Sequence, residues 1–101
     1  MNRHGVEISK EKIAHFCRDH KISEFAVFGS VLRDDFSPKS DVDVLVTFTP
    51  NCGYSLLDVA MIQGQLQDIF HREVDLIEKA SLKNPFRKKE ILDHMEVIYA
   101  A

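Results

Sequence analysis

The chain has 101 residues, of which 45% are apolar and 29% are charged, and this composition and length allow one hydrophobic core of ordinary kind. A disordered chain, a coiled coil and a multi-domain enzyme are therefore excluded. With 13 basic and 16 acidic residues the formal net charge is −3, which disfavours a protein that binds nucleic acid mainly through its phosphates.

Apolar spacing and the turn residues between apolar segments predict helices that alternate with strands. In chain order the sequence predicts a helix over 9–20, a strand over 24–28, a short helix over 30–34, a strand over 42–48, a helix over 54–70, a strand over 73–77, a helix over 85–94 and an edge strand over 96–99. This alternation predicts an α/β (α+β) fold in which helices pack on a small mixed β-sheet.

Several features bear on the location of the chain. No apolar run approaches the roughly 20 residues of a membrane-spanning helix, and residues 1–10 are polar and charged, so no secretory signal is visible. Cys17 and Cys52 lack the spacing of a metal site, and the five histidines are scattered without ligand spacing. We therefore expect reduced thiols, structural or surface histidines, and a cytoplasmic protein that does not associate with membranes.

Two carboxylates two residues apart open the second predicted strand. Side chains at this spacing share one face of a strand, so Asp41 and Asp43 repel each other unless they share divalent cations such as Mg²⁺. A third carboxylate, Asp75, interrupts the next apolar strand. If the two strands are neighbours, the three acids can hold two metal ions about 3.5–4 Å apart, which suits in-line phosphoryl transfer. The alternatives are a solvated strand entrance for the pair and a surface acid on an edge strand for Asp75.

Gly29 and Ser30 directly follow the first predicted strand. Glycine lets a phosphate approach the backbone closely, and serine offers a hydroxyl and a backbone N–H at the start of a short helix. Arg33, about one helical turn later, is placed to direct its guanidinium at a triphosphate. Alternatively, Ser30 caps the short helix and Arg33 pairs with a nearby surface acid.

A Gly-Ser pair, ten further residues and an Asp-x-Asp that leads an apolar strand form a combination expected by chance in roughly one chain in a thousand of this length. The pattern resembles the minimal nucleotidyltransferases of the DNA polymerase β superfamily, and most closely the MntA-type antitoxins that accompany HEPN-domain toxins. The resemblance runs from about Phe25 to the C-terminus. It rests on Gly29, Ser30, Arg33, Pro38, Ser40, Asp41, Val42, Asp43, Val74, Asp75 and Leu76.

The resemblance implies that residues 1–101 form a single minimal nucleotidyltransferase domain with a polymerase-β-like core. It implies that Asp41 and Asp43 bind Mg²⁺, that Asp75 completes the metal site and helps to activate the acceptor hydroxyl, and that Gly29 and Ser30 hold the triphosphate. It further implies an enzyme that moves AMP from ATP to a hydroxyl, in antitoxins a tyrosine of the partner HEPN toxin, and releases pyrophosphate.

The sequence departs from the family at one point, and two alternative functions are also open. Many relatives carry a glycine soon after the arginine, where this chain has Asp34-Asp35, which places extra negative charge near the expected triphosphate. All three metal-binding acids are present, so an active enzyme is favoured. The alternatives are a non-catalytic module that neutralises the toxin by occlusion, and a transferase that acts on RNA ends or a small molecule.

The remaining expectations concern the surface of the domain. Larger superfamily members close the nucleotide cleft with a second domain, so here a partner protein or a second copy of the chain is expected to complete the cleft. The basic run Arg87-Lys88-Lys89 is interpreted as a solvated helix face rather than as a contact with nucleotide or RNA.

Overall fold

The chain folds around a mixed β-sheet; the structure, a computed structural model, describes residues 2–3, 6–32 and 40–101. Its elements, in chain order, are β1 (Asn2–Arg3), β2 (Val6–Glu7), α1 (Lys10–Asp19), β3 (Ile22–Phe28), β4 (Val42–Phe48), α2 (Leu56–Phe70), β5 (Val74–Glu78), α3 (Pro85–His94) and β6 (Glu96–Ala100). Short 3₁₀ turns follow β3 (Gly29–Leu32) and β5 (Lys79–Ser81). The first of these turns stands where the sequence predicts a short helix.

The central sheet has the strand order β5-β4-β3-β6. Strand β3 pairs antiparallel with both β4 and β6, whereas β4 and β5 are parallel. A parallel pair needs a crossover connection, and α2 supplies it here. The expected α+β fold, with helices on a small mixed sheet, is confirmed. The two-residue strands β1 and β2, which pair only with each other, were not predicted.

Helices α1 and α2 cover one face of the sheet and enclose the larger core. In β4 the valines at 42, 44 and 46 are buried and point to this face. The helices contribute Ile13, Phe16, Cys17, Ile62, Leu66 and Phe70. Cys17 is a free thiol, and burial raises its pKa to about 12, so the thiol stays protonated at neutral pH.

Helix α3 covers the opposite face, and it does so thinly. Ile91 is the one buried side chain of α3, a helix that the structure describes completely. It packs in a small cluster whose sheet residues are Ala26, Phe28 and Leu45. The half-buried Leu92 packs against the same cluster, and a cleft remains open between the helix and the strand ends.

The helix ends follow local signals in the sequence. Ser9 caps α1 by accepting a hydrogen bond from the Lys12 N–H, and Asn84 caps α3 just before Pro85. Helix α2 begins two residues later than predicted because Ser55 caps it. Among the described residues, no helix combines the length and apolar character needed to cross a membrane.

The cap of α2 is reciprocal, and its loss has a measurable cost. The Asp58 N–H donates to the Ser55 hydroxyl at 3.3 Å, while the Asp58 carboxylate accepts from the Ser55 N–H at 2.9 Å. We expect Asp58→Ala to lower the free energy of unfolding in urea by about 1 kcal/mol. Asp68→Ala, a control near the opposite end of α2, is expected to leave stability unchanged or slightly raised. Equal losses in both variants would contradict a capping role.

Candidate active site

Carboxylates meet at the edge of the sheet where β3 ends and where β4 and β5 begin. In the sheet register Phe28 pairs with Asp43, and Asp43 pairs with Asp75. Neighbouring strands lie about 4.8 Å apart, and residues paired across a parallel ladder point to one face. Since the alternate valines of β4 point to the α1–α2 face, both carboxylates lie on the face that α3 covers. Asp41 is exposed and lies two residues before Asp43, at the same edge.

Two hydrogen bonds hold the segment before β4 against the segment before β5. The Arg72 guanidinium donates from Nη1 to the Ser40 carbonyl at 3.1 Å, and the Val42 N–H donates to the Glu73 carbonyl at 3.0 Å. These contacts extend the pairing of the two strands beyond their ends. They fix the chain that carries Asp41 beside the chain that leads into β5.

Gly29 lies directly against the Asp43 carboxylate. Its φ is +75°, a left-handed conformation that favours glycine, and a Cβ at this position would overlap Asp43 Oδ2 and lie 3.2 Å from Asp43 Cγ. The absence of a side chain therefore makes room for the carboxylate. Ser30 follows in the same 3₁₀ turn, which the buried Val31 anchors to the core.

A cleft of about 520 Å³ opens between this edge of the sheet and α3, a volume within the range of small-molecule sites. The sheet side contributes Gly29 and Asp43. The cleft is lined by Phe28, Gly29, Leu32, Asp43, Arg87, Glu90, Ile91 and His94. Apolar walls with a few charged groups suit a ligand that has both an aromatic and an ionic part.

The residues of the basic run Arg87-Lys88-Lys89 lie in two different environments on α3. Arg87 lies four residues before the buried Ile91, on the same helix face, and lines the cleft. Lys89 instead forms an ion pair with Asp93 at 2.8 Å on the exposed side, and Lys88 does not line the cleft. The interpretation of the whole run as a solvated face therefore missed Arg87. The four-residue spacing between Arg87 and the apolar Ile91 is the sequence signal that could have indicated its position.

His94, expected to be structural or at the surface, is exposed and lines the cleft from α3. Its Nδ1 lies 2.9 Å from the Glu90 carbonyl oxygen. A carbonyl only accepts hydrogen bonds, so Nδ1 carries the proton and Nε2 of the neutral ring is an acceptor. The imidazole is thus held in one tautomer at the wall of the cleft.

The acids at the sheet edge fit Mg²⁺ by their chemistry. Carboxylate oxygens are hard ligands, and Mg²⁺ is commonly held by one or two carboxylates together with substrate phosphates. Asp43 and Asp75 supply such a pair, with Asp41 nearby. Across the parts of the chain that the structure describes, no three His, Cys, Asp or Glu side chains are already gathered to hold a metal ion. A metal ion held by one or two of these carboxylates would take further ligands from phosphate oxygens.

Some predicted residues cannot be placed in this site. Arg33, expected at the triphosphate, lies outside the described residues, and so do Asp34, Asp35 and Pro38. The structure brings together Gly29, Asp43 and Asp75, and it places Ser30 and Asp41 next to them in the chain.

A mixed sheet that sets adjacent carboxylates beside a glycine turn and a cleft suits an enzyme that transfers phosphorus-containing groups. Residues 10–98 match the nucleotidyltransferase domain family. The chain belongs to the nucleotidyltransferase family, and it is therefore an enzyme of this class. The resemblance drawn from the sequence is confirmed.

Several named relatives and solved structures are similar to this chain. The chain is 38% identical over 89 residues to MJ0128 of Methanocaldococcus jannaschii, named as a protein adenylyltransferase, with 88% of this chain and 82% of the relative covered. It is 36% identical to the protein adenylyltransferase MntA of Thermococcus cleftensis, with 77% and 74% covered. A solved complex of a tri-AMPylated Shewanella oneidensis HEPN toxin with its MNT antitoxin shares the fold, with a TM-score of 0.66, 17% identity, and 91% and 70% covered.

Proposed function

We propose that this nucleotidyltransferase moves AMP from ATP to a tyrosine hydroxyl of a partner HEPN toxin, and that it acts in this way as the antitoxin. The observation that carries the proposal is the register that sets Asp75 beside Asp43, which lines the cleft next to Gly29. The names of the relatives support protein adenylylation, and the Shewanella oneidensis complex supports a HEPN toxin as the partner.

The proposed roles follow the positions of the side chains. Asp41 and Asp43 would hold Mg²⁺ together with phosphate oxygens of ATP, and Gly29 and Ser30 would receive the triphosphate at the turn after β3. Asp75 completes the metal site and orients the acceptor hydroxyl. When bound, Mg²⁺ lowers the pKa of the attacking hydroxyl and neutralises charge on the leaving phosphates.

In the proposed reaction the acceptor oxygen forms a bond to the α-phosphorus of ATP. The bond between the α-phosphorus and the bridging oxygen to the β-phosphorus breaks, and pyrophosphate leaves with its electron pair. The hydroxyl proton passes to the Asp75 carboxylate. This carboxylate lies in register with Asp43, so the base and the metal-binding acid approach the substrate from one face of the sheet.

The proposal also covers the partner, the domain organisation and the location of the protein. Residues 1–101 act as one minimal domain, and the toxin or a second copy of this chain completes the cleft, which α3 covers only thinly. The net charge of −3 disfavours a nucleic-acid partner. A cytoplasmic location and a membrane-free state stay predictions, which fractionation of cells that produce the protein tests.

Intact mass spectrometry tests the function directly. The chain is incubated with ATP, Mg²⁺ and the protein encoded beside it, and we expect the partner to become heavier by one or more AMP units. The double variant Asp41→Asn/Asp43→Asn is expected to bind the partner and leave its mass unchanged. A stable complex without any mass change in the wild type would instead support an occluding, non-catalytic module. Transfer only to RNA or to a small molecule, in an acceptor screen, would replace the protein substrate.

A further inference from the structure

We propose that Arg87 of α3 binds the β- and γ-phosphates of the nucleotide in the cleft. This inference rests on the proposed function and adds to it a phosphate contact on the wall that faces the carboxylates. Neither the sequence motif nor the family match assigns a role to α3.

The docking of α3 fixes the direction of Arg87. Ile91 packs on Phe28 and Leu45 and so determines the rotation of the helix about its axis. Residues four apart lie on one helix face, so Arg87 lies about 6 Å from Ile91 along the axis and above the same cleft. Glu90 and His94 border the cleft from the same face.

The charge of the cleft calls for a cation at this position. Asp43 and Glu90 bring negative charge to the lining, and a nucleoside triphosphate brings more. Within the described residues Arg87 is the one permanently charged cation that lines the cleft, and its guanidinium forms no ion pair among them. A guanidinium offers paired donors in a planar fork, which matches two phosphate oxygens.

The placement of the acids decides which phosphates Arg87 contacts. Transfer of AMP requires the α-phosphate to lie at the edge of the sheet, beside Asp43 and Asp75. The β- and γ-phosphates are then free to reach the wall formed by α3. Arg87 therefore binds the part of the nucleotide that leaves as pyrophosphate.

The neighbouring lysines provide an internal comparison. Lys89 is already paired with Asp93, and both side chains are exposed on the far side of the helix. Lys88 carries the same charge one residue away from Arg87 but does not line the cleft. Lys88→Ala therefore removes one positive charge from the same turn of α3 without touching the proposed contact.

Calorimetric titration of ATP and of AMP, each with Mg²⁺, tests the assignment. We expect Arg87→Ala to weaken ATP binding by about 10- to 100-fold and to change AMP binding by less than about twofold. Lys88→Ala should bind both ligands as the wild type does. Arg87→Lys should bind ATP with intermediate affinity, because it keeps the charge and loses the fork. Should Arg87→Ala fail to fold, Arg87→Gln serves in its place.

Each remaining outcome has a defined meaning. Unchanged ATP binding in Arg87→Ala would overturn this inference and leave the proposed function standing. Equal loss of ATP and AMP binding would overturn the assignment to the β- and γ-phosphates. If wild-type protein bound no ATP, the proposed function itself would fail.

Discussion

Asp43→Asn is expected to reduce AMP transfer by at least about 10³-fold while the protein remains folded and bound to its partner. The substitution keeps the size of the side chain and removes the negative charge that lies between Gly29 and Asp75 in the sheet edge. A neutral amide is a poor ligand for Mg²⁺ beside a second carboxylate. Initial rates of AMP incorporation into the partner, followed by mass spectrometry, measure the effect.

The control for this variant is Asp68→Asn. Asp68 is an exposed acid on α2, which packs on the opposite face of the sheet, so the change in net charge is the same and the cleft is untouched. We expect wild-type transfer in the control. Retention of more than about a tenth of the activity in Asp43→Asn would argue against a metal-binding role for this carboxylate.

Gly29→Ala is expected to lower activity by about 10²-fold or more and stability by only about 1–2 kcal/mol. The stability cost arises because alanine disfavours the φ of +75°. The larger loss of activity arises because the new methyl group occupies the space of the Asp43 carboxylate. The carboxylate ends a flexible side chain, so it can rotate away, and it then leaves the position proposed for metal binding.

Gly53→Ala is a matched control for the effect of a positive φ on stability. Gly53 has a φ of +78°, and a Cβ there would meet nothing within 4 Å. Both alanine variants should therefore lose similar stability in urea unfolding, while only Gly29→Ala should lose AMP transfer. Similar activity in the two variants would show that the contact between Gly29 and Asp43 has no functional importance.

Much of the fold could be predicted because its elements carry local signals. Helix α1 was predicted within one residue at each end, since Ser9 caps it and its apolar residues recur at helical spacing. Helix α2 was predicted two residues too long because Ser55, not Tyr54, provides the cap. The β1–β2 pair was missed, since two-residue strands are too short to show a period.

The part of the candidate site that lies within one continuous segment could be predicted from the sequence. The part that depends on contact between distant segments could be predicted less well. The spacing from Gly29 and Ser30 to Asp41 and Asp43 is visible in the sequence. The adjacency of Asp75 depended on strand order, which only the fold supplies. Composition does not separate Arg87 from its lysine neighbours, but its four-residue spacing from Ile91, which packs on the sheet, does.

The parallel register of β4 and β5 also limits how the sequence can change in length. Side chains alternate between the two faces of a strand, so a shift of β5 by one residue would carry the Asp75 carboxylate into the valine-lined core on the other face. The segment between Arg72 and Asp75 therefore cannot gain or lose a single residue without turning Asp75 to the wrong face. The exposed turn around Asn51, in contrast, can gain or lose residues freely. The proposed catalytic geometry and correct strand pairing are therefore the same requirement, so a chain that pairs out of register would lose its candidate site and its core together.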